Sequence, residues 1–230
     1  MSTLLHPAKT LLLALCLVAP GAMALSLAEL SNHDAGNGMK AALEKGSSAA
    51  VAKLGTENGF LNNDQVKIAL PRILEQARPL LKMTGHGQQL DDLVVSMNRA
   101  AEAAVPMAKP LLVNAVKSMS WTDAKNILTG GETSVTNFFR EKTSAELAVQ
   151  FLPIVKKVTD RSGLAGKYNS VMGQVSKLGV GQQPATVESY VTGRALDGLY
   201  KMIAEEEKAI RQDPIGSGSA IIGKVFGALR

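Results

Sequence analysis

Apolar residues recur every three or four positions along most of the chain from residue 34 onward, which is the period of amphipathic helices. Glycine and proline residues interrupt this pattern and divide it into segments. The segments predict helices over 34–54, 71–83, 89–119, 121–129, 133–161, 165–178, 187–212 and 220–229. The pattern therefore predicts an all-α protein, a single-domain bundle of about seven or eight helices.

Three prolines and two short stretches disturb the helical pattern. Pro106 and Pro110 would kink or break the third predicted helix, and Pro153 would bend the fifth. The glycine and serines at 46–48 interrupt the first predicted helix. Residues 60–70 include a short alternation of apolar and polar side chains, which predicts at most one short extended segment.

Residues 1–24 have the three-part pattern of a secretory signal peptide. Lys9 precedes an apolar run over residues 10–19, a proline and a glycine then break the helix, and small residues stand at Ala22 and Ala24. The pattern predicts cleavage after Ala24 and a periplasmic location. The alternative is a membrane-spanning helix, which needs about 20 apolar residues and therefore a longer run than this one.

The one cysteine of the 230-residue chain, Cys16, lies inside this apolar run. Leu15 precedes it, where a lipoprotein signal has a small residue, so the pattern disfavours a lipoprotein. The mature chain, residues 25–230, would then contain no cysteine. We expect its fold to depend on packing alone, without disulfide bonds.

Charge and aromatic content argue against nucleic acid as a partner. The chain has 25 basic and 20 acidic residues, a net charge of +5, and loss of Lys9 with the signal would leave 24 against 20, or +4. The basic residues are scattered along the sequence and 4% of residues are aromatic, whereas nucleic-acid binders cluster cations and stacking rings. No apolar stretch of twenty residues follows the signal, which predicts no transmembrane span in the mature chain.

The short motifs of common catalytic sites are missing from the sequence. It has no nucleophile elbow, no phosphate-binding or dinucleotide-binding glycine loop, and no zinc-binding pattern of histidine or cysteine. The two histidines of the mature chain, His33 and His86, stand beside glycine-rich turns without a carboxylate at metal-ligand spacing. The sequence therefore predicts no catalytic residue, no metal ligand and no cofactor, and it favours a protein that is not an enzyme.

One group of candidate binding residues is Asn98, Arg99 and Glu102 in the third predicted helix. Asn98 and Glu102 are one turn apart and share a face of that helix. They could hold a ligand between helices. The alternative is a solvated flank of the helix with an ordinary ion pair.

A second group consists of Asp123 and of Thr133 after the glycines at 130 and 131, with Arg140 further along the helix. Two glycines before a helix with hydroxyl residues could present free N–H groups to a phosphate or carboxylate, and Arg140 would add positive charge. The alternative is a glycine helix stop followed by a threonine or serine cap, which needs no ligand.

A third group centres on Glu206, which shares a helical stripe with Leu199, Ile203 and Ile210. A carboxylate on an apolar stripe is costly unless it is paired, and we predict an arginine partner. The candidate partners are Arg99, Arg140 and Arg211. Such a pair could belong to a ligand site or could be a structural pin, and Glu207 with Arg211 forms a further favourable pair one turn apart.

Several segments resemble one bacterial protein family. They are MNRAAE at 97–102, VPxAKPL at 105–111, DAxxILxGG at 123–131, YVT at 190–192, ALDGLY at 195–200, and AEEEKxIR at 204–211 with Pro214. The family is known as domain of unknown function 4197, and the resemblance covers nearly all of the mature chain. It implies an exported, mostly helical protein of Gram-negative bacteria, with no settled activity and no catalytic residues to carry over.

Together these observations favour a non-enzymatic, soluble periplasmic helical protein that binds an envelope protein or a small, anionic ligand. One alternative is a hydrolase that uses carboxylates, with a divalent metal held by oxygen ligands. It requires three or more of a set of carboxylates to converge: Glu102, Asp123, Asp197, Glu205 and Glu206. The other alternative is an envelope-associated protein that touches lipid through the apolar C-terminal helix at 220–229. The sequence leaves the oligomeric state open.

Overall fold

The computed structural model describes residues 32–131, 133–177 and 186–227, and in these ranges the chain forms helices and no strand. The helices are α1 (Asn32–Leu54), α2 (Arg72–Met83), α3 (Gly87–Ala104), α4 (Ala108–Lys117), α5 (Trp121–Thr129), α6 (Ser134–Arg161), α7 (Leu164–Lys177), α8 (Val187–Gln212) and α9 (Ala220–Gly227). The predicted all-α bundle is confirmed. The predicted signal peptide, residues 1–24, lies outside the described residues.

Helix α8 occupies the centre of the packing. It contacts α6 and α1 most extensively and also touches α3 and α7, while α1 in turn contacts α4, α5 and α9. The hydroxyls of Thr143 on α6 and Tyr200 on α8 share a hydrogen bond of 2.9 Å inside this core. Because α8 is amphipathic, its other face remains at the surface, and the candidate site is built along that face.

Two helices occupy the range 89–119, so of the two predicted outcomes, a kink or a break, the structure shows a break. A 3₁₀ turn, Val105–Met107, separates α3 from α4 and contains Pro106. Proline cannot donate the backbone hydrogen bond that would continue α3. Pro110 lies in the first turn of α4, where a missing N–H has no partner to lose, and Pro153 lies inside α6.

The interruption predicted at residues 46–48 is wrong, because α1 continues through them. Gly46 is buried where α1 meets α8, and a β-carbon there would lie 3.5 Å from that of Glu206. The glycine thus serves close packing between the two helices and does not end α1.

Residues 55–71 join α1 to α2 without regular secondary structure, and we call them the 55–71 segment. The short extended stretch predicted near residues 60–70 forms no strand there. Phe60, Ile68 and Leu70 of this segment are buried in the core. Other elements must therefore satisfy its buried backbone groups.

Within the described ranges, no helix has both the length and the apolar character required to cross a bilayer. Helix α9 packs on α1, and its Ile222, Val225 and Phe226 are buried. These side chains are thus engaged with the bundle, while Leu229, the last apolar residue of the predicted helix, lies outside the described residues.

Candidate functional site

Asn98 is fully buried on α3 and binds the 55–71 segment. Its Oδ1 accepts a hydrogen bond from the backbone N–H of Ile68 at 2.8 Å, and its Nδ2 donates to the carbonyl of Ile68 at 2.9 Å. Nδ2 also donates to the carbonyl of Val94 at 2.7 Å. The amide therefore satisfies buried backbone groups of a segment that has no strand partner.

Glu102, one turn further along α3, is 5% exposed and binds the start of the same segment. Its Oε1 accepts hydrogen bonds from the N–H groups of Phe60 at 3.0 Å and Leu61 at 3.1 Å. Its Oε2 accepts from Nη1 of Arg99 at 2.6 Å, and Arg99 also donates to Asn58 Oδ1 at 2.9 Å. The alternative that these residues form a solvated flank of the helix is therefore wrong, because Asn98 and Glu102 are buried and bind the 55–71 segment.

Helix α8 holds the other side of the 55–71 segment. Lys201 Nζ donates to the carbonyl of Gln65 at 3.0 Å, and the Tyr190 hydroxyl donates to the carbonyl of Ala69 at 3.0 Å. Phe60 packs so closely on Gly198 that a β-carbon at this glycine would lie 2.8 Å from the ring. The segment is thus fixed between α3 and α8.

Two of the predicted groups meet in one cleft between the α5–α6 link and α8, and we call it the α8 cleft. Its volume is about 430 Å³. The residues that line it are Gly130, Gly131, Thr133, Ala204, Glu205, Glu207, Lys208 and Arg211. Thr133 and Arg211 were predicted from separate patterns more than 70 positions apart, and packing of the link on α8 brings them together.

The wall of the α8 cleft contains an ion pair between Glu207 and Arg211. Glu207 is 6% exposed and accepts a hydrogen bond from Nε of Arg211. Nη2 of Arg211 donates to the carbonyl of Ile127 at 2.9 Å, and its guanidinium stands 5.4 Å from the ring centroid of Phe226. Arg211 therefore also caps the C-terminal end of α5, where the helix dipole favours a cation.

Burial raises the pKa of the Glu207 carboxyl above its ordinary value of 4.5, and the charge and hydrogen bond of Arg211 act in the opposite direction. Desolvation is the larger of these effects. The ionised form of Glu207 therefore carries a desolvation cost that its pairing with Arg211 offsets only in part.

The prediction that Glu206 is paired with an arginine is wrong. Glu206 pairs with Lys53 of α1, and the neighbouring Glu207 is the more deeply buried carboxylate, paired with Arg211. Both glutamates lie about one turn from Ile203 and from Ile210, because spacings of three and four residues fall on nearly the same face of a helix. Counting four residues from Ile203 gives Glu207, so the pattern contained the signal without distinguishing the two.

Asp123 serves as part of a helix cap at the start of α5. Its Oδ2 accepts from the N–H of Ser120 at 2.9 Å, and the N–H of Asp123 donates to Ser120 Oγ at 3.1 Å. Ser120 Oγ also donates to Asp123 Oδ2 at 2.7 Å. The hydrogen bonds that the hydroxyl and the N–H of Ser120 donate to this carboxylate lower the pKa of Asp123. Asp123 lines a separate cavity of about 230 Å³, together with Ser134 and Glu141, and not the α8 cleft.

Arg140 lies outside the α8 cleft as well. Its Nη1 is 3.1 Å from Asp197 Oδ1, and its guanidinium stands over the ring of Tyr200 at 5.4 Å from the centroid. The prediction that Arg140 adds positive charge near Gly130 and Gly131 is therefore wrong, because its side chain contacts Asp197 and Tyr200 and does not line the cleft.

Four of the five carboxylates of the hydrolase hypothesis have separate partners, and the fifth, Glu205, lies exposed in the α8 cleft. Glu102 binds the 55–71 segment, Asp123 caps α5, Asp197 pairs with Arg140, and Glu206 pairs with Lys53. In the part of the chain that the structure describes, no three histidine, cysteine, aspartate or glutamate residues group around a possible metal position. The convergence that this hypothesis requires is not present among these residues.

Comparison with known proteins places the chain in a family. Neither the search of curated proteins nor the search of solved structures gives a match. The family model described as "Protein of unknown function (DUF4197)" matches residues 29–227, which include every candidate residue discussed above. The chain therefore belongs to the DUF4197 family, in agreement with the resemblance of its sequence segments.

Proposed function

We propose that this protein is an exported, periplasmic binding protein that holds a small polar ligand in the α8 cleft and carries out no reaction on it. The observation that supports the proposal is the pairing of the buried Glu207 with the partly buried Arg211 in the wall of an open cleft of about 430 Å³. Clefts of about this volume are typical of small-molecule sites. Buried charges with a shifted pKa are common at such sites, although they also occur as structural pins.

The charges around the α8 cleft suit a ligand with an anionic and a cationic group. Helix α6 begins at the cleft, and the positive end of its dipole favours an anionic group there. Lys208 of α8 lines the same cleft and adds a positive charge. Glu205, exposed on α8, offers a carboxylate to a cationic group. Gly131 leaves space for the ligand, because a β-carbon at this position would meet no atom within 4 Å.

Gly131 also provides a steric test, because it lines the cleft and a β-carbon there meets no atom of the fold within 4 Å, so we expect a larger side chain to occupy space that the ligand needs. The test is native mass spectrometry of the protein purified from the periplasm, comparing the wild type, Gly131→Leu and Gly166→Leu. Gly166 on α7 is the matched control, since a β-carbon there also meets nothing within 4 Å. We expect a bound small molecule on the wild type and on Gly166→Leu, and its loss from Gly131→Leu.

Two results would overturn the proposal. One is a ligand retained by Gly131→Leu, and the other is wild-type protein that carries no bound molecule when it is purified from the periplasm. The location is tested separately by N-terminal sequencing of the purified protein. Export with cleavage requires Leu25 as the first residue, whereas Met1 would contradict it.

A further inference from the structure

Four cationic side chains gather on the exposed face of α8 and its neighbours, and we call them the basic patch. They are Lys67 of the 55–71 segment, Arg140 of α6, and Arg194 and Lys201 of α8. Lys67, Arg194 and Lys201 line one shallow pocket of about 160 Å³ together with Asp197. No local pattern in the chain predicts this cluster, because its members lie up to 134 positions apart.

One carboxylate stands among these four cations. Arg140 Nη1 is 3.1 Å from Asp197 Oδ1, and Arg194 Nη1 is 3.6 Å from Asp197 Oδ2. Four positive charges against one negative charge leave an excess of three. Such an excess on a concave surface attracts multivalent anions.

Acidic residues also occur beyond Lys67, in a neighbouring cavity that Lys67 borders. In that cavity Arg78 binds Glu75 at 2.8 Å and Asp91 at 3.0 Å. These two carboxylates are therefore already engaged with a cation of their own. Asp64 also lines this cavity with Lys67, and counting it leaves an excess of two positive charges around the pocket.

Aromatic rings and a carbonyl hold three of the cations in place. The Arg140 guanidinium stands 5.4 Å from the ring centroid of Tyr200, and that of Arg194 stands 5.5 Å from the ring centroid of Tyr190. Lys201 is held by the carbonyl of Gln65. A cation held in position loses less conformational entropy when a ligand binds.

The two guanidiniums remain accessible despite these contacts. The side chains of Arg140 and Arg194 are 51% and 56% exposed. A guanidinium has five N–H donors, and each of these arginines places one nitrogen on Asp197, so donors are left for a second acceptor. Paired arginine forks match the geometry of tetrahedral oxyanions.

We propose that the basic patch binds a doubly charged phosphate group. The group could belong to a free phosphorylated molecule or to the headgroup of an anionic lipid, since both present the same oxygens. The site is distinct from the α8 cleft and does not depend on it. The 55–71 segment has a positioning role, because its attachment to Asn98 and Glu102 sets Lys67 beside α8.

Isothermal titration of the full chain with inorganic phosphate tests the free form of the ligand. We expect the wild type to bind, and we expect the affinity of the Arg140→Gln/Arg194→Gln variant to be lower by a factor of about ten or more. Asp197→Asn should bind more tightly, because the competing carboxylate is neutralised. The control with the same loss of charge is Lys157→Gln/Arg161→Gln, two exposed residues of α6 outside the patch, which should match the wild type.

Co-sedimentation with phosphatidylcholine vesicles, with and without phosphatidic acid, tests the lipid form. Sedimentation that requires phosphatidic acid and is lost in Arg140→Gln/Arg194→Gln assigns the patch to a lipid headgroup. Phosphate binding without sedimentation assigns it to a soluble ligand. The proposal is overturned if the wild type binds neither, or if the patch variant and the control variant bind equally.

Discussion

Asn98 binds both backbone groups of Ile68, with its Oδ1 2.8 Å from the Ile68 nitrogen and its Nδ2 2.9 Å from the Ile68 oxygen. A neighbouring β-strand would satisfy the same two groups, but here one side chain of a helix takes its place. Both residues are buried. This contact explains how a segment without regular structure can enter the core of a helical protein.

Asn98→Ala should destabilise the fold by about 2–4 kcal/mol, because it leaves the buried N–H and carbonyl of Ile68 without partners. The free energy of unfolding in urea measures this. Asn114→Ala, at an exposed position on α4, is the matched control and should change it by less than about 0.5 kcal/mol. Equal unfolding midpoints for the two variants would contradict the role of Asn98.

Glu102→Gln should be milder than Glu102→Ala. Glutamine keeps an oxygen for the N–H groups of Phe60 and Leu61 and loses the charge that pairs with Arg99, at a cost of about 1 kcal/mol, whereas alanine leaves both N–H groups unsatisfied, at about 2–4 kcal/mol. Urea unfolding gives the stabilities, and limited proteolysis should cut the 55–71 segment fastest in Glu102→Ala.

The control for Glu102 is Glu57→Gln, which removes the other carboxylate of Arg99. Glu57 lies 3.2 Å from Arg99 and is 79% exposed, so its loss should cost less than about 1 kcal/mol. If Glu57→Gln and Glu102→Ala had the same effect, burial of Glu102 would not be the cause.

The helices that the sequence predicted most accurately are those with local end signals. Helices α5 and α8 begin and end as predicted. Ser120 and Thr186 cap their first turns through side-chain hydrogen bonds, and Gly130 and the pair Asp213 and Pro214 follow their last residues. The break at Pro106 was anticipated as an alternative to a kink, because the missing N–H is a local property and the choice between the two depends on packing.

The candidate site could be predicted only in part. The pattern identified Asn98 and Glu102 as unusual, but their partners lie 30 to 42 positions away in a segment without periodicity. It also could not show that Thr133 and Arg211 share a cleft, because tertiary packing alone brings α6 and α8 together. Ligand binding and export remain predictions.

Asp123→Ala should destabilise the protein by about 1 kcal/mol at neutral pH, because it removes half of the capping box of α5. The pKa of Asp123 is lowered in the folded protein, so its stabilising effect is present above the ordinary value of 3.8 and is lost as pH falls through the lowered value. Urea unfolding at neutral and acidic pH should show a difference that narrows in acid. Thr122→Ala, the exposed neighbour, should show no such pH dependence.

Two adjacent glycines should respond differently to alanine. A β-carbon at Gly130 would lie 2.5 Å from the carbonyl oxygen of Asn126 and 2.6 Å from the β-carbon of Ser134, whereas one at Gly131 meets nothing within 4 Å. Gly130→Ala should therefore cost about 1–3 kcal/mol, and Gly131→Ala should change stability by less than about 0.5 kcal/mol. Thermal unfolding compares them, and equal melting temperatures would contradict the packing of the α5–α6 link.

Glu207 should make stability depend on pH in the direction opposite to Asp123. Its pKa is raised in the folded protein, mainly by burial, so the native state holds this proton more tightly than the unfolded chain. Stability from this group is therefore fully present below its ordinary value of 4.5 and is lost as pH rises through the raised value.

Glu207→Gln removes this titration, and the test is the difference in unfolding free energy between wild type and variant across that range. The wild type should lose stability relative to Glu207→Gln as pH rises from 4.5 through the raised pKa, and the difference should then become constant. Glu205→Gln, two positions earlier and exposed in the α8 cleft, is the matched control. A difference that grows in favour of the wild type over the same range would mean that attraction to Arg211 outweighs the desolvation of Glu207.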